Sequence, residues 1–362
     1  MRTRFRLLPA ALFALGWYTS GCSTNEPAAP DSEHVDSPST ETLRLEALSP
    51  TQLQGTVDTP ADPVPTVVVR DKSGKPVRGI TVTFSTYRTS PIGGEDIWAS
   101  WSAITGSTGI ANPGEWNLSV FAGTQILEAS ILGAHLFDAD SGAGRVVVFR
   151  AAASPGPAVW VSKAYGDKQL GLTNERMEPP QVHVVDRFGN RVPGPTTVTF
   201  TVTAGGGSLG NGNVEVLSLE TRDGVASPDR WTLGTSGGIN SVVASVPGLN
   251  SVTFTAEALD PGPLVRYDLE PESVRGIVSA SIALGENGIF ELKDVEWSDA
   301  FPGEFFDRRL GRYTLSGTRI VLTYSTGETD EGTLVGDKLS VQYTKLNWHP
   351  HVPQEWRFVK RN

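Results

Sequence analysis

Residues 184–194 read Val-Val-Asp-Arg-Phe-Gly-Asn-Arg-Val-Pro-Gly, and residues 69–79, which lie 115 positions earlier, read Val-Arg-Asp-Lys-Ser-Gly-Lys-Pro-Val-Arg-Gly. Each copy leads into a short segment that ends in Val-Thr-Phe. At the same offset, Trp116-Asn117-Leu118 corresponds to Trp231-Thr232-Leu233. A repeat of this length is larger than a solenoid unit and about the size of an independent β domain. The sequence therefore predicts two tandem copies of one domain.

Alternation of apolar and polar residues follows both copies. Residues 198–202 and 252–256 place Val, Phe or Ala on one side and Thr on the other. This period of two is typical of strands with one buried face. The 39 glycines and 25 prolines supply many turns, and no helical periodicity of useful length lies between the strands. The predicted fold class is all-β, with each copy forming an antiparallel sandwich.

Two Pro-Gly-Pro steps mark the predicted domain boundaries. The first step, residues 155–157, follows the first copy, and the second, residues 261–263, follows the second copy. Because proline lacks an amide donor and has a fixed φ, strand pairing should stop at these steps. We assign residues 43–154 to the first domain, 155–262 to the second and 264–362 to a third.

The repeated domains resemble bacterial immunoglobulin-like domains of the type found in intimin and invasin stalks. The motifs that carry the resemblance are Asp-x-x-Gly-x-x-Val-x-Gly, the Val-Thr-Phe strand, Gly205-Gly206-Gly207, Asp223-Gly224-Val225-Ala226, Trp231-Thr232-Leu233-Gly234 and residues 252–256. The first copy departs from this pattern, because residues 92–101 replace the glycine triplet. The resemblance implies β-sandwiches that act mostly as spacers or display units, with any adhesive activity elsewhere in the chain.

The third region has a different texture. Short strands are predicted at 280–284, 289–295, 311–315, 319–324, 332–335, 338–343 and 355–360. Residues 311–317 and 356–360 resemble small lipocalin-like domains of bacterial lipoproteins. An up-and-down sheet of seven or eight such strands would curl to close its edges, which predicts a small antiparallel β-barrel or curled sheet.

The N-terminus has the features of an export signal. Residues 1–21 contain Arg2, Arg4 and Arg6, then an apolar run too short to span a bilayer as a helix, then small residues before Cys22. This arrangement resembles the bacterial lipoprotein signal, which implies lipidation of Cys22, although Thr19 stands where that family prefers Leu. The alternative is an ordinary signal with an incidental cysteine. A single cysteine also excludes intramolecular disulfides.

Residues 22–42 are rich in Ser, Thr, Pro and acidic residues, so we expect a tether that does not order itself. Ser23 is not the acidic residue that marks inner-membrane retention in lipoproteins, and the resemblance therefore implies the outer membrane, on its cell-surface or periplasmic face. Loss of the signal leaves 27 basic and 40 acidic residues, a net charge of −13. This charge argues against nucleic acid and anionic lipid head groups as partners.

Two glycine motifs formally match catalytic or cofactor patterns. Residues 234–238 fit the Gly-x-Ser-x-Gly elbow around Ser236, which requires a strand, a sharp turn and a helix. Residues 205–210 fit a dinucleotide fingerprint, which also requires a helix. The first motif has strand-like flanks and the second has turn-forming flanks, so we interpret the first as a hairpin turn and the second as a loop, and we predict no cofactor.

Several polar groups share features with metal or catalytic sites. Residues 138–142 begin like a calcium loop, but Phe149 stands where the bidentate Glu belongs. His349 and His351 have no cysteine or carboxylate at zinc spacing. An acidic loop is predicted at Glu296, Asp299, Glu304 and Asp307, and a solvated face is commoner there than paired carboxylates for glycoside chemistry. His183 alternates with two valines and should point to solvent. We predict no metal.

The tryptophans divide into two groups. Trp116 and Trp231 occupy equivalent repeat positions, which favours a core role for both. Trp98, Trp101 and Trp297 fall in loop-like, non-repeated segments. These three either fill a local core or anchor a protein or glycan surface.

The sequence as a whole predicts a non-enzymatic cell-envelope lipoprotein. Two immunoglobulin-like sandwiches would hold the third domain away from the membrane for binding or adhesion to a protein or glycan. The alternative is a carrier that encloses a small apolar ligand in the C-terminal barrel. A hydrolase that uses Ser236, or Glu304 and Asp307, is a third hypothesis.

Overall fold

The computed structural model describes residues 43–89, 95–131, 133–134, 144–270, 277–298, 303–343 and 354–361, and in these ranges the chain forms β-strands and turns without a helix. The first unit contains β1 (Arg44–Ala47), β2 (Gln52–Thr56), β3 (Val67–Arg70), β4 (Thr81–Thr89), β5 (Glu95–Ile104), β6 (Ile110–Ala111), β7 (Gly123–Ile131) and β8 (Val146–Ser154). The second contains β9 (Trp160–Tyr165), β10 (Gln169–Leu172), β11 (Arg176–Met177), β12 (Gln181–Val185), β13 (Thr197–Ala204), β14 (Ser208–Leu209), β15 (Val216–Glu220), β16 (Val225–Ala226), β17 (Trp231–Thr232), β18 (Gly238–Ser245) and β19 (Ser251–Leu259). The third contains β20 (Leu264–Leu269), β21 (Ile277–Gly285), β22 (Ile289–Ser298), β23 (Gly303–Ser316), β24 (Arg319–Tyr324), β25 (Thr329–Val335), β26 (Lys338–Tyr343) and β27 (Gln354–Lys360).

The first two units are β-sandwiches, as predicted. In the first, the sheet β1-β3-β6 faces the sheet β2-β8-β7-β4-β5. In the second, β16-β12-β9 faces β10-β19-β18-β13-β15, and the short strands β11, β17 and β14 form a third sheet. Alternate strand residues from the two main sheets meet in an apolar core in each unit. Trp116 and Trp231 are buried in these cores, which confirms the role predicted from their equivalent positions.

The sandwiches are not purely antiparallel. β2 pairs in parallel with β8, and β10 pairs in parallel with β19. In each unit the first strand belongs to the smaller sheet and the second strand belongs to the larger one. That second strand pairs in parallel with the last strand of the unit. This crossing lets the first strands complete both sheets, and alternation alone does not reveal it.

Asp186 and Asn190, both in the repeated stretch of the second sandwich, form the joint between the sandwiches. The Asn190 side chain accepts a hydrogen bond from the Ala122 amide at 2.9 Å and donates one to the Val120 carbonyl at 2.7 Å. Asp186 accepts hydrogen bonds from the amides of Gly156, residue 188 and Asn190 and from the Asn190 side chain, at 2.8–2.9 Å. The same stretch that defines the repeat therefore also fixes the second sandwich against the first.

The third unit is a closed, eight-stranded antiparallel barrel, β20 to β27 in chain order, in which β27 pairs back with β20. The sequence predicted a small barrel or curled sheet but identified only seven strands. β20 was missed, and β23 begins at Gly303, eight residues before the predicted strand at 311. The predicted acidic loop is therefore wrong in part, because Glu296 lies on β22 and Glu304 and Asp307 lie on β23.

Side chains fill the centre of the barrel. Its buried cluster consists of Tyr267, Ala280, Ile282, Leu284, Phe290, Leu292, Ile320, Leu322, Tyr324, Leu339, Val341, Tyr343, Trp356 and Phe358. A small barrel with inward residues of this size has a packed interior. The carrier hypothesis, which requires an apolar cavity in this barrel, stays a prediction. None of the described residues forms a helix that is long and apolar enough to cross a membrane.

Three tryptophans lie on strands and not in loops as predicted. Trp98 and Trp101 belong to β5, and Trp297 belongs to β22. Trp101 packs against the first core and donates a hydrogen bond from its indole nitrogen to the Pro113 carbonyl at 2.9 Å. Trp101 therefore fills a local core, one of the two roles considered for it.

Removal of the Asp186 charge should weaken the joint in a pH-dependent way. Burial alone would raise the pKa of Asp186, but its hydrogen bonds, led by that from Asn190, hold it below the ordinary value of 3.8. The stabilisation is therefore present above pH 3.8 and lost as pH falls through the lower, folded-state pKa. We expect Asp186→Asn to cost about 1–3 kcal/mol near neutral pH and to reduce the acid sensitivity of urea unfolding.

The matched control is Asp71→Asn, at the equivalent position of the first copy. Asp71 accepts hydrogen bonds from Ser73 and Lys75 of its own exposed loop. The Asp71→Asn substitution should therefore lower the stability of the joint less than Asp186→Asn does. Equal effects of the two substitutions on unfolding would contradict the assigned role of Asp186.

Candidate functional site

A cleft of about 530 Å³ opens where the barrel meets the second sandwich. Residues 307–310 of β23, the hairpin residues between positions 324 and 330, and Tyr343 of β26 form its barrel side. Leu170 of β10 contributes the sandwich side. The cleft therefore needs two domains to be complete.

The barrel interior changes from apolar to polar at the end that faces the cleft. Along β22, Leu292 faces inward, and two positions later Asp294 occupies the same face. On β23, Asp307 pairs directly with Asp294, and Arg309 pairs with Leu292. On β25, Asp330 lies opposite Leu322. Asp294 and Asp330 are buried, so carboxylates replace apolar side chains in the last layer of the barrel.

Arg309 compensates the charge of these carboxylates. Its guanidinium contacts the Asp307 carboxylate at 2.5 Å and lies 3.8 Å from that of Asp294. The same group lies over the Tyr343 ring, 5.1 Å from the ring centre. Burial would lower the pKa of Arg309, but the charges of Asp294 and Asp307 raise it. Arg309 is therefore a permanent cation beneath the cleft.

Tyr324 and Asp330 form a buried hydrogen-bonded pair. The Tyr324 hydroxyl donates to the Asp330 carboxylate at 2.9 Å. Burial in the first place, and the charge of Asp330 in the second, raise the pKa of Tyr324 far above its usual value. Tyr324 therefore remains a neutral donor to the Asp330 carboxylate.

An aromatic wall supports the same end of the barrel. The rings of Tyr343 and Trp356 stack at 4.6 Å with an interplanar angle of 16°. Tyr324 meets the edge of Phe290 on one side and lies 6.4 Å from Tyr343 on the other. The Tyr343 hydroxyl and the Trp356 indole nitrogen are buried and have no hydrogen-bond partner. Unsatisfied buried polar atoms are uncommon, so the Tyr343 hydroxyl at the cleft is a feature to explain.

Arg308 connects the cleft to the second sandwich. It forms a two-pronged ion pair with Glu175 of the sandwich, at 2.5 and 2.8 Å, and also contacts Glu291 of β22 at 2.7 Å. Lys293 contacts Glu291 at 3.1 Å. Burial would raise the pKa of Glu291, but the hydrogen bonds and charges of Arg308 and Lys293 lower it.

An apolar cluster lies beside this ion pair. Leu259 of the sandwich packs with Ile289 and Leu310 of the barrel, and Leu170 and Leu172 of β10 lie against them. Buried apolar contact and paired charges thus hold the two domains together at the cleft. The arrangement can bind a ligand by charge, hydrogen bonds and limited apolar contact.

The structure places Ser236 in a connection between strands, as expected, but not in a hairpin, because β17 and β18 belong to different sheets. This residue lies in the exposed connection between the short strand β17 and the strand β18. A Cβ on Gly234 would overlap the Gly205 carbonyl, so close backbone packing explains this glycine of the motif. The glycines at 205–210 likewise lie between strands β13 and β14 and the turn that follows.

Other predicted residues have different outcomes. Asp307 lines the cleft, whereas Ser236 does not. His183 is half-buried and does not point fully to solvent, and burial, followed by the charge of Arg191, lowers its pKa. Cys22, Asp299, His349, His351 and residues 138–142 lie outside the described residues. Within the described ranges, no group of three or more His, Cys, Asp or Glu residues is arranged to hold a metal ion.

Sequence reasoning missed most of the cleft. Arg309, Tyr324, Asp330 and Tyr343 were not identified, although Tyr324 and Tyr343 were correctly assigned to strands. One signal was available: Asp294 and Asp330 occupy positions where strand alternation predicts an apolar residue. A carboxylate on the inward face of a barrel strand indicates a buried partner or a site.

No family model matches the chain, and no curated protein matches it. Among solved structures, it is similar to invasin, a bacterial integrin-binding protein, with 13% identity over 88% of this chain and 79% of the other, and a TM-score of 0.27. The Escherichia coli adhesin FdeC has 13% identity over 88% and 96% of the two chains, with a TM-score of 0.31. A β-glucuronidase from Parabacteroides merdae has 14% identity over 60% of this chain, with a TM-score of 0.24.

This chain spans only about a quarter of the β-glucuronidase, 24% of its length. The TM-scores are low for all three structures. The fold class therefore rests on the strand order and pairing described above, and the function rests on the residues of this chain.

The Glu175–Arg308 pair should couple the barrel to the sandwich. In a double-mutant cycle of Glu175→Gln and Arg308→Gln, we expect a coupling energy on the order of 1 kcal/mol in thermal unfolding. The comparison pair is Arg319 and Glu331, which are joined at 2.6 Å on the exposed barrel surface. Coupling at Glu175–Arg308 no larger than at this exposed pair would contradict the proposed bracing.

Proposed function

We propose that this chain is a non-enzymatic binding protein of the bacterial cell envelope, attached to the outer membrane by a lipid on Cys22. The two sandwiches act as a spacer, and the barrel presents the cleft for binding or adhesion. The export signal and the polar segment 22–42 support attachment at the N-terminus. The filled cores of the sandwiches support a mechanical role for them.

The observation that carries the binding role is the polar end of the barrel. A barrel of this size could have been filled with apolar side chains throughout, at lower cost than with buried charges. Instead, Asp294, Arg309 and Asp330 occupy its last layer beside an open cleft. Their charges and hydrogen bonds are directed at one another and at the cleft, an arrangement suited to holding a ligand in place.

Lipid attachment is tested at Cys22. We expect Cys22→Ser to abolish labelling by a radioactive fatty acid and to move the protein from the detergent phase to the aqueous phase, because the thiol is the attachment point. Thr19→Leu, which restores the residue preferred by lipoprotein signals, should retain or increase labelling. Labelling that persists in Cys22→Ser would contradict the proposed anchor.

The binding role is tested by blocking the cleft. Thr326 is exposed and lines the cleft, and Thr318 is exposed in the turn between β23 and β24. In a screen of protein and glycan arrays with the chain from Cys22 onward, we expect Thr326→Trp to abolish the binding found for the wild type. Thr318→Trp, the matched control, should bind like the wild type. If the wild type and both variants bind equally, the binding site does not lie at the cleft. Turnover of an ester or glycoside would contradict a non-enzymatic role.

A further inference from the structure

Among the residues that the structure describes, carboxylates outnumber cationic groups around the cleft. The acidic groups in or directly behind its walls are Glu175, Glu291, Asp294, Asp307, Glu328 and Asp330, and the cationic groups are Lys293, Arg308 and Arg309. In a partly buried site this excess is screened less than at an open surface, so it produces a negative potential in the cleft. A cation is therefore favoured over an anion or a neutral ligand.

The two arginines strengthen this conclusion. Arg308 is held by Glu175 and Glu291, and Arg309 is held by Asp307 and lies close to Asp294. An anionic ligand would have to displace a carboxylate from a guanidinium group before it could bind. A cationic ligand can instead add a further partner to carboxylates that are already in position.

The Tyr343 hydroxyl is a second, independent indication of a ligand. Its side chain is 3% exposed, it lines the cleft, and its hydroxyl has no hydrogen-bond partner. A phenol oxygen can accept a hydrogen bond from a ligand. The Tyr343 ring already lies under the Arg309 guanidinium, which shows that its electrostatics suit a cation.

The shape of the cleft selects the kind of cation. Leu170 and Leu310 provide apolar wall at the opening, and the carboxylates and Tyr343 lie along the barrel side. This arrangement suits a group with an apolar stem and a charged tip, which describes a lysine side chain. An ammonium group has three N–H donors and no acceptor, which matches carboxylate and phenol oxygens.

We propose that the cleft binds the ammonium group of a lysine side chain on a protein partner, with Glu328, Asp330 and Tyr343 as acceptors. This inference rests on the binding function proposed above and names the ligand of the same site. The net charge of −13 expected for the exported chain is complementary to a basic partner surface.

The test uses NMR titration of tyrosine-ring signals in the chain from Cys22 onward. The probe is the peptide acetyl-Ser-Gly-Lys-Gly-Ser-amide. Its two comparison peptides carry Nε-acetyl-lysine or norleucine in place of lysine, which removes the charge and keeps the stem. We expect the lysine peptide to bind at least about tenfold more tightly than either, since a hydrogen bond to a charged group contributes about that factor. The advantage should shrink with added salt.

Two variants locate the site. Glu328→Gln changes an exposed residue of the cleft, and Tyr343→Phe removes a hydroxyl that has no partner in the fold, so both variants should fold. Each should weaken binding of the lysine peptide several-fold, up to about tenfold. The matched controls are Glu331→Gln, three residues from Glu328 and paired with Arg319 on the exposed surface, and Tyr165→Phe on the exposed part of β9. The controls should bind like the wild type.

Glucosamine and glucose form the third arm. Tighter binding of glucosamine than of the lysine peptide, lost in Glu328→Gln, would overturn the lysine assignment in favour of an amino sugar. Binding of glucose at the cleft would overturn the cationic class and leave the proposed binding function intact. The lysine inference also fails if the lysine peptide shows no binding at about 10 mM. The assignment of binding to the cleft is tested separately, and it fails if Thr326→Trp leaves all array binding unchanged.

Discussion

A charge inside a β-barrel wall must be paired, and this constraint organises the C-terminal third of the chain. Asp294 and Glu291 lie on adjacent parts of β22 and are both almost fully buried. Their compensating arginines, Arg309 and Arg308, are consecutive residues of β23 and therefore point to opposite faces of the barrel. Arg309 faces inward to Asp294 and Asp307, and Arg308 faces outward to Glu291 and Glu175. One pair of residues thus completes the barrel and also attaches it to the second sandwich.

Much of the fold could be predicted, because it depends on local patterns. Alternation, the glycine turns and the 115-residue repeat were sufficient to identify two sandwiches and a sheet that closes on itself. The parallel pairing of β2 with β8 could not be predicted, because the direction in which a short strand pairs depends on which sheet it joins. The extent of β23 was also missed, since its first half, residues 303–310, is charged and aromatic without clear alternation. Pairing with β22, which is a tertiary contact, determines that half.

For the candidate site, the sequence could indicate which motifs do not form it but could not identify the residues that do. The sequence correctly placed Ser236 in a connection between strands, because its flanks are strands. It did not bring Arg309, Asp330 and Tyr343 together, since these residues lie on three different strands and meet only when the barrel closes. Leu170, which completes the cleft, lies more than one hundred residues away in another domain. The local sequence pattern does not show which distant residues come into contact. A carboxylate on the inward face of a strand does, however, indicate that a partner must contact it.

Both joints of the chain contain ion pairs, and the joint to the barrel shares one of its charged residues with the cleft. The joint between the sandwiches combines the neutral Asn190 side chain, which is hydrogen-bonded to backbone groups of residues 120 and 122, with an exposed ion pair between Arg187 and Asp58. The joint to the barrel combines the ion pairs Arg308–Glu175 and Arg312–Glu257 with the apolar contact of Leu259 with Ile289 and Leu310. Salt screens the ion pairs of both joints. A buried or half-buried ion pair contributes less to stability than to a defined geometry. Arg308 lines the cleft and also pairs with Glu175, so the cleft and the contact between the two domains share one guanidinium group.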